Sequence, residues 1–489
     1  VFQKGQIIEV DITDIGVNAE GIAHLNDYTI FVPFALVGEK VRAEIVHIPS
    51  SKSIVFTKLV EVISKSEHRV EPICKYFSEC GGCDYLHLDY EEQLKYKQNS
   101  VINTLSKMVK TPFDVATVVP SIPNIGYRNK VQLPFGVVKG KVVLGFYKKG
   151  SNDICPIDEC LLHGTWLTPI IKATLDYVRD NKIRVYYKGK GLLRHLVIRN
   201  IGGNFCVTLV STSKNLPNIN DFYDALNKIN DNTSLYININ KEPTNVIMGN
   251  ETFEVNNTPQ ALSIMGIKTS LNPLSFFQVN DYIREKLYED VIKIINPSKN
   301  TVIIDAYSGV GIMGAIMAKS GALIINIDEV PEAISDADNL YMSNGIADKA
   351  CNICGDSAVI LPRLAKTLLE KNSHSPLNVP SEAIVPKDAD EIIRNVASII
   401  HTDSDVVVLL DPPRKGVSEE VITAIKMLQE VYSNFRVVYI SCNPATLARD
   451  LSKLTEFMSI DSIVPYDMFA QTKHVETVAK LSNLMSLSR

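Results

Sequence analysis

Thr301-Val302-Ile303-Ile304-Asp305-Ala306-Tyr307-Ser308-Gly309-Val310-Gly311-Ile312-Met313-Gly314 reads as strand, glycine turn and helix. The first four residues are apolar or β-branched, as a buried strand needs, and the glycines let the backbone approach a ligand at the first strand–helix turn. A Gly-x-Gly-x-x-Gly pattern is a weak signal when it stands alone. Here the next strand, Ala322–Ile327, ends in Asp328, about twenty residues on, where a carboxylate can accept ribose hydroxyls. That arrangement serves NAD and S-adenosylmethionine alike. Asp305, at the end of the first strand and before the first glycine, tilts the reading towards S-adenosylmethionine.

Further strands obey the same logic. A strand over Cys351–Gly355 leads to Asp356, placed to reach the adenine side of the ligand. Cys351 and Cys354 have no obvious partners and read as core residues. Val406–Leu410 is a buried parallel strand ending in Asp411-Pro412-Pro413-Arg414-Lys415-Gly416. A strand that ends in Asp-Pro-Pro is typical of S-adenosylmethionine-dependent enzymes acting on planar nitrogenous substrates, and the NAD reading drops there. Arg436–Ile440 is another apolar strand, followed by Ser441-Cys442-Asn443-Pro444-Ala445-Thr446-Leu447. Pro444 sits where a first helical residue would, and Ala445–Phe457 has helical composition. Cys442 is therefore expected at a strand end and a helix start, where a thiolate is favoured; a buried structural cysteine is the competing reading. A polar stretch, 372–404, looks like a surface insertion with its own short helix, Ala389–Ile400.

Towards the N-terminus, Gln278 and its neighbours lead into a helix over Asp281–Ile295. The first 63 residues alternate β-rich runs with turn signals, including Gln6–Ile12, Tyr28–Pro33, Lys40–His47 and Ile54–Ile63. About five short strands in that length suggest a small closed barrel of the OB type, a common nucleic-acid platform. Cys74, Cys80 and Cys83, with Gly81 and Gly82 between them, form a loop able to wrap one soft metal centre. Cys155 or Cys160 can supply a fourth ligand, and spacing leaves zinc and iron–sulfur both open. A helix is expected over Glu91–Val109, then strands at Val131–Gly136, Val142–Tyr147, Phe205–Ser211 and Ser234–Asn240. Between Lys182 and Arg199, Arg184, Lys188, Lys190 and Arg194 interleave with Tyr186 and Tyr187, a composition suited to phosphate contact and base stacking. The expected division is 1–63 barrel, 64–270 central α+β unit with the cysteine loop, and 271–489 α/β methyltransferase unit of Rossmann-like type.

The 489 residues carry a net charge of −5, so any nucleic-acid binding must rest on local basic surfaces. No apolar run approaches the ~20 residues of a membrane span, and no secretory pattern opens the chain; a cytoplasmic protein is expected. A monomer is assumed.

Taken together, Asp411–Gly416, Ser441–Asp450 and Thr472-Lys473-His474-Val475-Glu476-Thr477-Val478 resemble motifs of the RNA uracil-5-methyltransferase family, and the resemblance covers nearly the whole chain. It implies that the barrel is a TRAM domain. It also implies that Cys74, Cys80 and Cys83 bind a [4Fe–4S] cluster, as in the rRNA-modifying members. Gly150-Ser151-Asn152-Asp153 leads at matching spacing to Cys160 as the fourth ligand, with Cys155 extra. Gln278, Tyr307, Ile312, Asp328, Asp356 and Asp411 match the family's S-adenosylmethionine-contacting positions. Tyr307 and Ile312 depart from it, lying where Phe and Asn are common. Cys442 is implied as the nucleophile towards C6 of uracil, Glu476 as the base at C5, and Asp411 or Arg414 as the group that positions the base or stabilises the enolate oxygen. For His474 an orienting or core role is expected. The implied partner is RNA, 23S rRNA ahead of the T-loop uridine of tRNA. An amino-methyltransferase of the Asp-Pro-Pro type and a non-catalytic RNA-binding scaffold are the rival readings.

Overall fold

In a computed structural model, which describes residues 2–50, 53–187, 189–258, 262–269, 273, 277–372 and 389–484, three sheets succeed one another along the chain. The first contains β1 (Ile7–Asp11), β2 (Asp14–Ile15), β3 (Glu20–Leu25), β4 (Tyr28–Pro33), β5 (Lys40–His47) and β6 (Ile54–Ser64). Its order is β1-β5-β6-β4-β3-β2. The two end strands are consecutive halves of one bent segment, so the sheet closes on itself and leaves no free edge. Alternating residues such as Ile8 and Val10, Val41, Ala43 and Ile45 point inward. Buried Glu39 ties the barrel to the segment beyond β6, accepting two hydrogen bonds from Arg69.

Helix α1 (Tyr90–Leu105) starts at Asp89, whose side chain accepts from the Glu92 amide. Its buried face is Gln93, Lys97, Val101 and Leu105, and two of those four are polar. The second sheet uses β7 (Lys130–Val138), β8 (Lys141–Tyr147), β9 (Ile154–Pro156), β10 (Leu193–Ile201), β11 (Asn204–Ser211), β12 (Thr233–Ile239) and β13 (Glu251–Asn256). It runs in the order β13-β12-β11-β10-β7-β8-β9. Helices α2 (Leu167–Asp180) and α3 (Ile219–Asn227) cover it, burying Ile170, Ile171, Phe222 and Leu226 against Leu133, Leu196 and Val207.

The basic stretch is only partly the surface its composition suggests: Arg184, Tyr187 and Lys190 are exposed. Arg194 and Arg199 lie on β10 and are buried. Arg194 donates to the Asn240 and Glu242 carbonyls and lies 4.8 Å over the Tyr186 ring; Arg199 donates to the Pro273 carbonyl. Lys188 lies outside the described residues.

A hairpin of β14 (Leu262–Ile264) and β15 (Ile267–Thr269) and helix α4 (Asp281–Ile295) lead to the third sheet. That sheet comprises β16 (Thr301–Asp305), β17 (Leu323–Asp328), β18 (Ala350–Cys354), β19 (Asp405–Leu410), β20 (Phe435–Ser441), β21 (Met458–Tyr466) and β22 (Glu476–Asn483), in the order β18-β17-β16-β19-β20-β22-β21. The first five are parallel and the last two antiparallel, with helices on both faces. The order reverses between β16 and β19, the switch point at which open α/β sheets bind ligands.

Helices α5 (Ile312–Ala318), α6 (Pro331–Ser343), α7 (Ser357–Asn372), α8 (Ala389–Ile399), α9 (Glu419–Val431) and α10 (Pro444–Leu454) flank it. The expected surface insertion is partly core: α8 buries Ala389, Ile393, Val396 and Ala397 in the same cluster as Leu361 and Leu364 of α7. Residues 373–388 of that stretch lie outside the described residues. Among the described residues, no helix is long and apolar enough to cross a membrane.

Candidate active site

One edge of the third sheet collects the residues singled out in the sequence. β16 ends in Asp305 and β17 in Asp328; β18, β19 and β20 run on to Asp356, Asp411 and Cys442. A cavity of about 680 Å³ opens there, lined by all five of those residues and by Gln278, Tyr307, Ile312, Arg414, His474 and Glu476. Residues spread over some 200 positions of sequence therefore face one space.

The glycine turn explains its own sequence. Gly309 and Gly311 adopt φ of 54° and 75°, which side chains resist. At Gly314 a Cβ would stand 2.5 Å from the Tyr341 hydroxyl and 2.8 Å from Ile324, so α5 can lie on β17 only without one. The Gly309 amide already donates to Asp328 Oδ2 (2.9 Å) and the Val330 amide to Oδ1 (2.9 Å). A carboxylate thus occupies the amide that a dinucleotide's pyrophosphate would need. The turn suits a nucleoside without phosphates.

Charge supports the same ligand class. Asp305 and Glu476 are almost completely buried, and burial together with Asp411 lifts the Asp305 carboxyl from 3.8 to about 8. Burial lifts Asp411 to about 7, and Glu476 is held well above its ordinary range by burial and then by Asp411. Carboxyls this close cannot all ionise without a cation among them. The sulfonium and ammonium of S-adenosylmethionine would supply positive charge, so the residues present fit that group.

Cys442 is half-buried in the cavity wall. Its thiol is pushed up by burial and then by Glu476, while Arg414 pulls it down. The helix start was expected to favour the thiolate; in the ligand-free protein burial outweighs it. That start is well formed: Pro444 opens α10 and Asn443 Oδ1 accepts from the Ala445 amide (3.1 Å). The same helix clamps the Asp-Pro-Pro loop. Asn443 Nδ2 donates to the Arg414 carbonyl (3.2 Å), Arg449 to the Lys415 carbonyl (2.9 Å), and buried Asp450 accepts from the Val417 amide (3.0 Å) and Tyr439 (2.7 Å).

His474 lies edge-on to Phe469 with centroids 5.9 Å apart, and burial lowers its pKa to about 4, leaving the imidazole neutral. Phe469 also lines the cavity. It sits in the connection between β21 and β22 with no motif around it, and no sequence signal marks it.

The cysteines of the loop do not line the cavity. Cys80 and Cys83 are pushed up, chiefly by burial, and each also feels the thiols of Cys74 and Cys160. Cys155 is buried on β9 and adds to the charge felt by Cys80. Four neighbouring thiols suit a soft metal centre in donor chemistry. Among the described residues, however, no three His, Cys, Asp or Glu side chains converge closely enough to hold a metal ion.

Known proteins share these features. The family described as tRNA (Uracil-5-)-methyltransferase matches residues 395–483, and the TRAM domain matches residues 1–48. An uncharacterized RNA methyltransferase of Clostridium acetobutylicum is 32% identical over 99% of this chain and 98% of its own length. One from Lactobacillus johnsonii is 32% identical over 98% and 99%. The crystal structure of the tRNA (uracil-54, C5)-methyltransferase of Pyrococcus abyssi, in complex with S-adenosyl-L-homocysteine, superposes with a TM-score of 0.71 at 25% identity, covering 97% of this chain and 99% of that one. With a switch-point cavity, a TRAM domain and full-length relatives in agreement, this chain belongs to the RNA uracil-5-methyltransferase family.

Proposed function

We propose that the protein methylates C5 of a specific uridine in RNA through a covalent adduct on Cys442. The observation that carries this reading is that Cys442, Glu476 and Asp411 share one cavity with the five other positions matched to S-adenosylmethionine contacts. Uracil C5 is a poor nucleophile and needs covalent activation. Cys442 Sγ adds to C6, breaking the C5–C6 double bond and leaving an enolate with electron density on C5 and O4. Gln278, Tyr307, Ile312, Asp328, Asp356 and Asp411 would hold S-adenosylmethionine, which would supply the electrophilic methyl group for C5 and depart as S-adenosylhomocysteine. The Glu476 carboxylate removes the remaining C5 proton, and the electron pair released restores the double bond and expels the Cys442 thiolate. Asp411 raises the basicity of Glu476, and Arg414 offsets charge on the enolate oxygen.

The substrate proposed is 23S rRNA, a reading supported by the TRAM domain and the cysteine loop together. The Pyrococcus abyssi relative is described as acting on uracil 54 of tRNA, so the test must separate the two. Mapping 5-methyluridine in rRNA and tRNA from a strain lacking the gene does so. Loss of one 23S site is expected; loss confined to tRNA overturns the rRNA assignment, and no loss in either overturns the activity. The cytoplasm is the proposed compartment, consistent with a role in RNA modification.

Cys74, Cys80, Cys83 and Cys160 are proposed as the ligands of a [4Fe–4S] cluster, supported by the influence of the Cys74 and Cys160 thiols on both Cys80 and Cys83. When bound it supplies a structural staple, and no step above draws on it. Anaerobically purified protein should contain iron and sulfide; stoichiometric zinc without iron contradicts the assignment.

A further inference from the structure

Residues 467–475 connect β21 to β22, bring Phe469 and His474 to the cavity and deliver Glu476 at their end. Apart from a turn around Phe469 and Thr472, this connection has little structure of its own. Besides Asn18 and Asn280, its polar partners from elsewhere in the chain lie in residues 84–127. The Tyr127 hydroxyl donates to the Ala470 carbonyl (2.8 Å), and the Asp84 and Tyr85 amides to the Gln471 carbonyl (2.9 and 3.1 Å). Gln93 Nε2 donates to Gln471 Oε1 (2.9 Å), and the Lys473 amide to Asp84 Oδ2 (3.1 Å).

Beneath them is an ion pair shut off from water. The side chains of Lys97 and Asp467 are both 0% exposed. Lys97 Nζ donates to Asp467 Oδ1 and to the Phe469 carbonyl (3.0 Å), while the Tyr90 hydroxyl donates to Asp467 Oδ2 (2.6 Å). Asp467 is fixed in turn through its amide, which donates to the Val119 carbonyl (2.9 Å). Apolar residues would fill such a position at least as stably, because desolvating two charges offsets most of their attraction. What the pair does supply is direction, since charged hydrogen bonds fix where the connection begins.

We propose that Lys97, Asp467 and Tyr90 are positioning residues for proton abstraction, holding the connection so that Glu476 meets the C5 proton of the adduct. The proposal rests on the reading of Cys442 as nucleophile and Glu476 as base. It assigns the central unit a part in one chemical step, the release of product from Cys442.

The test uses the full-length protein, S-adenosylmethionine labelled in its methyl group, and total RNA from a strain lacking the gene. Reactions are quenched in denaturant at short intervals. Label retained on protein measures methylated adduct, and label in protein-free RNA measures product. The variants are Tyr90→Phe, which removes one hydroxyl, and the paired change Lys97→Met with Asp467→Asn, which avoids a lone buried charge. Both should build up methylated adduct that resolves at least about tenfold more slowly than in wild type, the scale of one lost hydrogen bond, while methyl transfer in the first turnover keeps its rate. Adduct that resolves at the wild-type rate in Tyr90→Phe overturns the proposal, as does a parallel slowing of methyl transfer and release. Glu476→Gln run alongside separates the two levels. If it accumulates no methylated adduct, the reading of Glu476 fails; if it does and Tyr90→Phe does not, only the positioning role fails.

Discussion

At the scale of single residues, the site is governed by three carboxyls that compete for negative charge. Asp411, raised to about 7, and Glu476, raised by burial and then by Asp411, titrate as a unit. A base must be ionised to act, so release of product from the methylated adduct should speed up as pH rises above the ordinary carboxylate range, and Glu476→Gln should abolish that limb along with turnover. A rate independent of pH between about 6 and 9 would contradict the assignment. Asp305 gives a stability signature. Its folded pKa of about 8 lies above the ordinary 3.8, so the folded chain holds a proton that the unfolded chain loses between those values. The resulting stabilisation is complete below about 4 and is lost as pH rises through about 8. Asp305→Asn, neutral throughout, should therefore melt higher than wild type at about pH 9 and close to it at about pH 5 in ligand-free protein. Thermal scans at the two pH values check this; equal shifts at both would rule it out. The thiol of Cys442 is also raised by Glu476, so alkylation of Cys442 should shift to lower pH in Glu476→Gln. Peptide mass spectrometry of iodoacetamide-treated protein reads that shift, and an unchanged midpoint would separate the two groups.

At the scale of elements, the sequence was most legible where a single force acts. The helix Asp281–Ile295 and the strands Tyr28–Pro33 and Lys40–His47 have the bounds their caps and alternation imply. The switch-point site was legible where Asp305, Asp328, Asp356, Asp411 and Cys442 stand at or just past strand ends, a position written in apolar run followed by Asp or Cys. Reading failed where tertiary contacts override composition. β10 carries Arg194 and Arg199, which pattern alone assigns to solvent; buried carbonyls and rings accept both guanidiniums instead. The helix in the polar stretch before β19 was legible but its burial was not, because half of α8 faces solvent while the rest packs on α7. The raised thiol at the start of α10 could not be read either, since it depends on burial and then on Glu476, which the last strand brings in. Packing at the glycine turn yields an element-scale prediction. Gly314→Ala places a Cβ against the Tyr341 hydroxyl and Ile324, and should cost about 1–3 kcal/mol by chemical denaturation, with weaker binding of S-adenosylhomocysteine. Wild-type stability in that variant would mean that α5 has room the geometry denies.

At the scale of the whole molecule, the methyltransferase sheet does not build its active site unaided. The connection that delivers Glu476 is bonded to the segment after the cysteine loop, to α1 and, through Lys473 Nζ and Asn18, to the barrel. Asp84, which follows Cys83 directly, accepts from Lys473. Replacing Cys83 with Ser should therefore lower iron content and also weaken product release, measured as iron per chain and as adduct lifetime. Everything proposed for the chemistry turns on Cys442 adding to C6 of a uridine. RNA carrying 5-fluorouridine isolates that step, because fluorine at C5 cannot leave as a proton and stalls the final elimination. Incubated with S-adenosylmethionine, wild-type protein should form an SDS-resistant RNA complex, and Cys442→Ala should form none. No complex with wild type, or an equal amount with Cys442→Ala, would contradict the covalent mechanism.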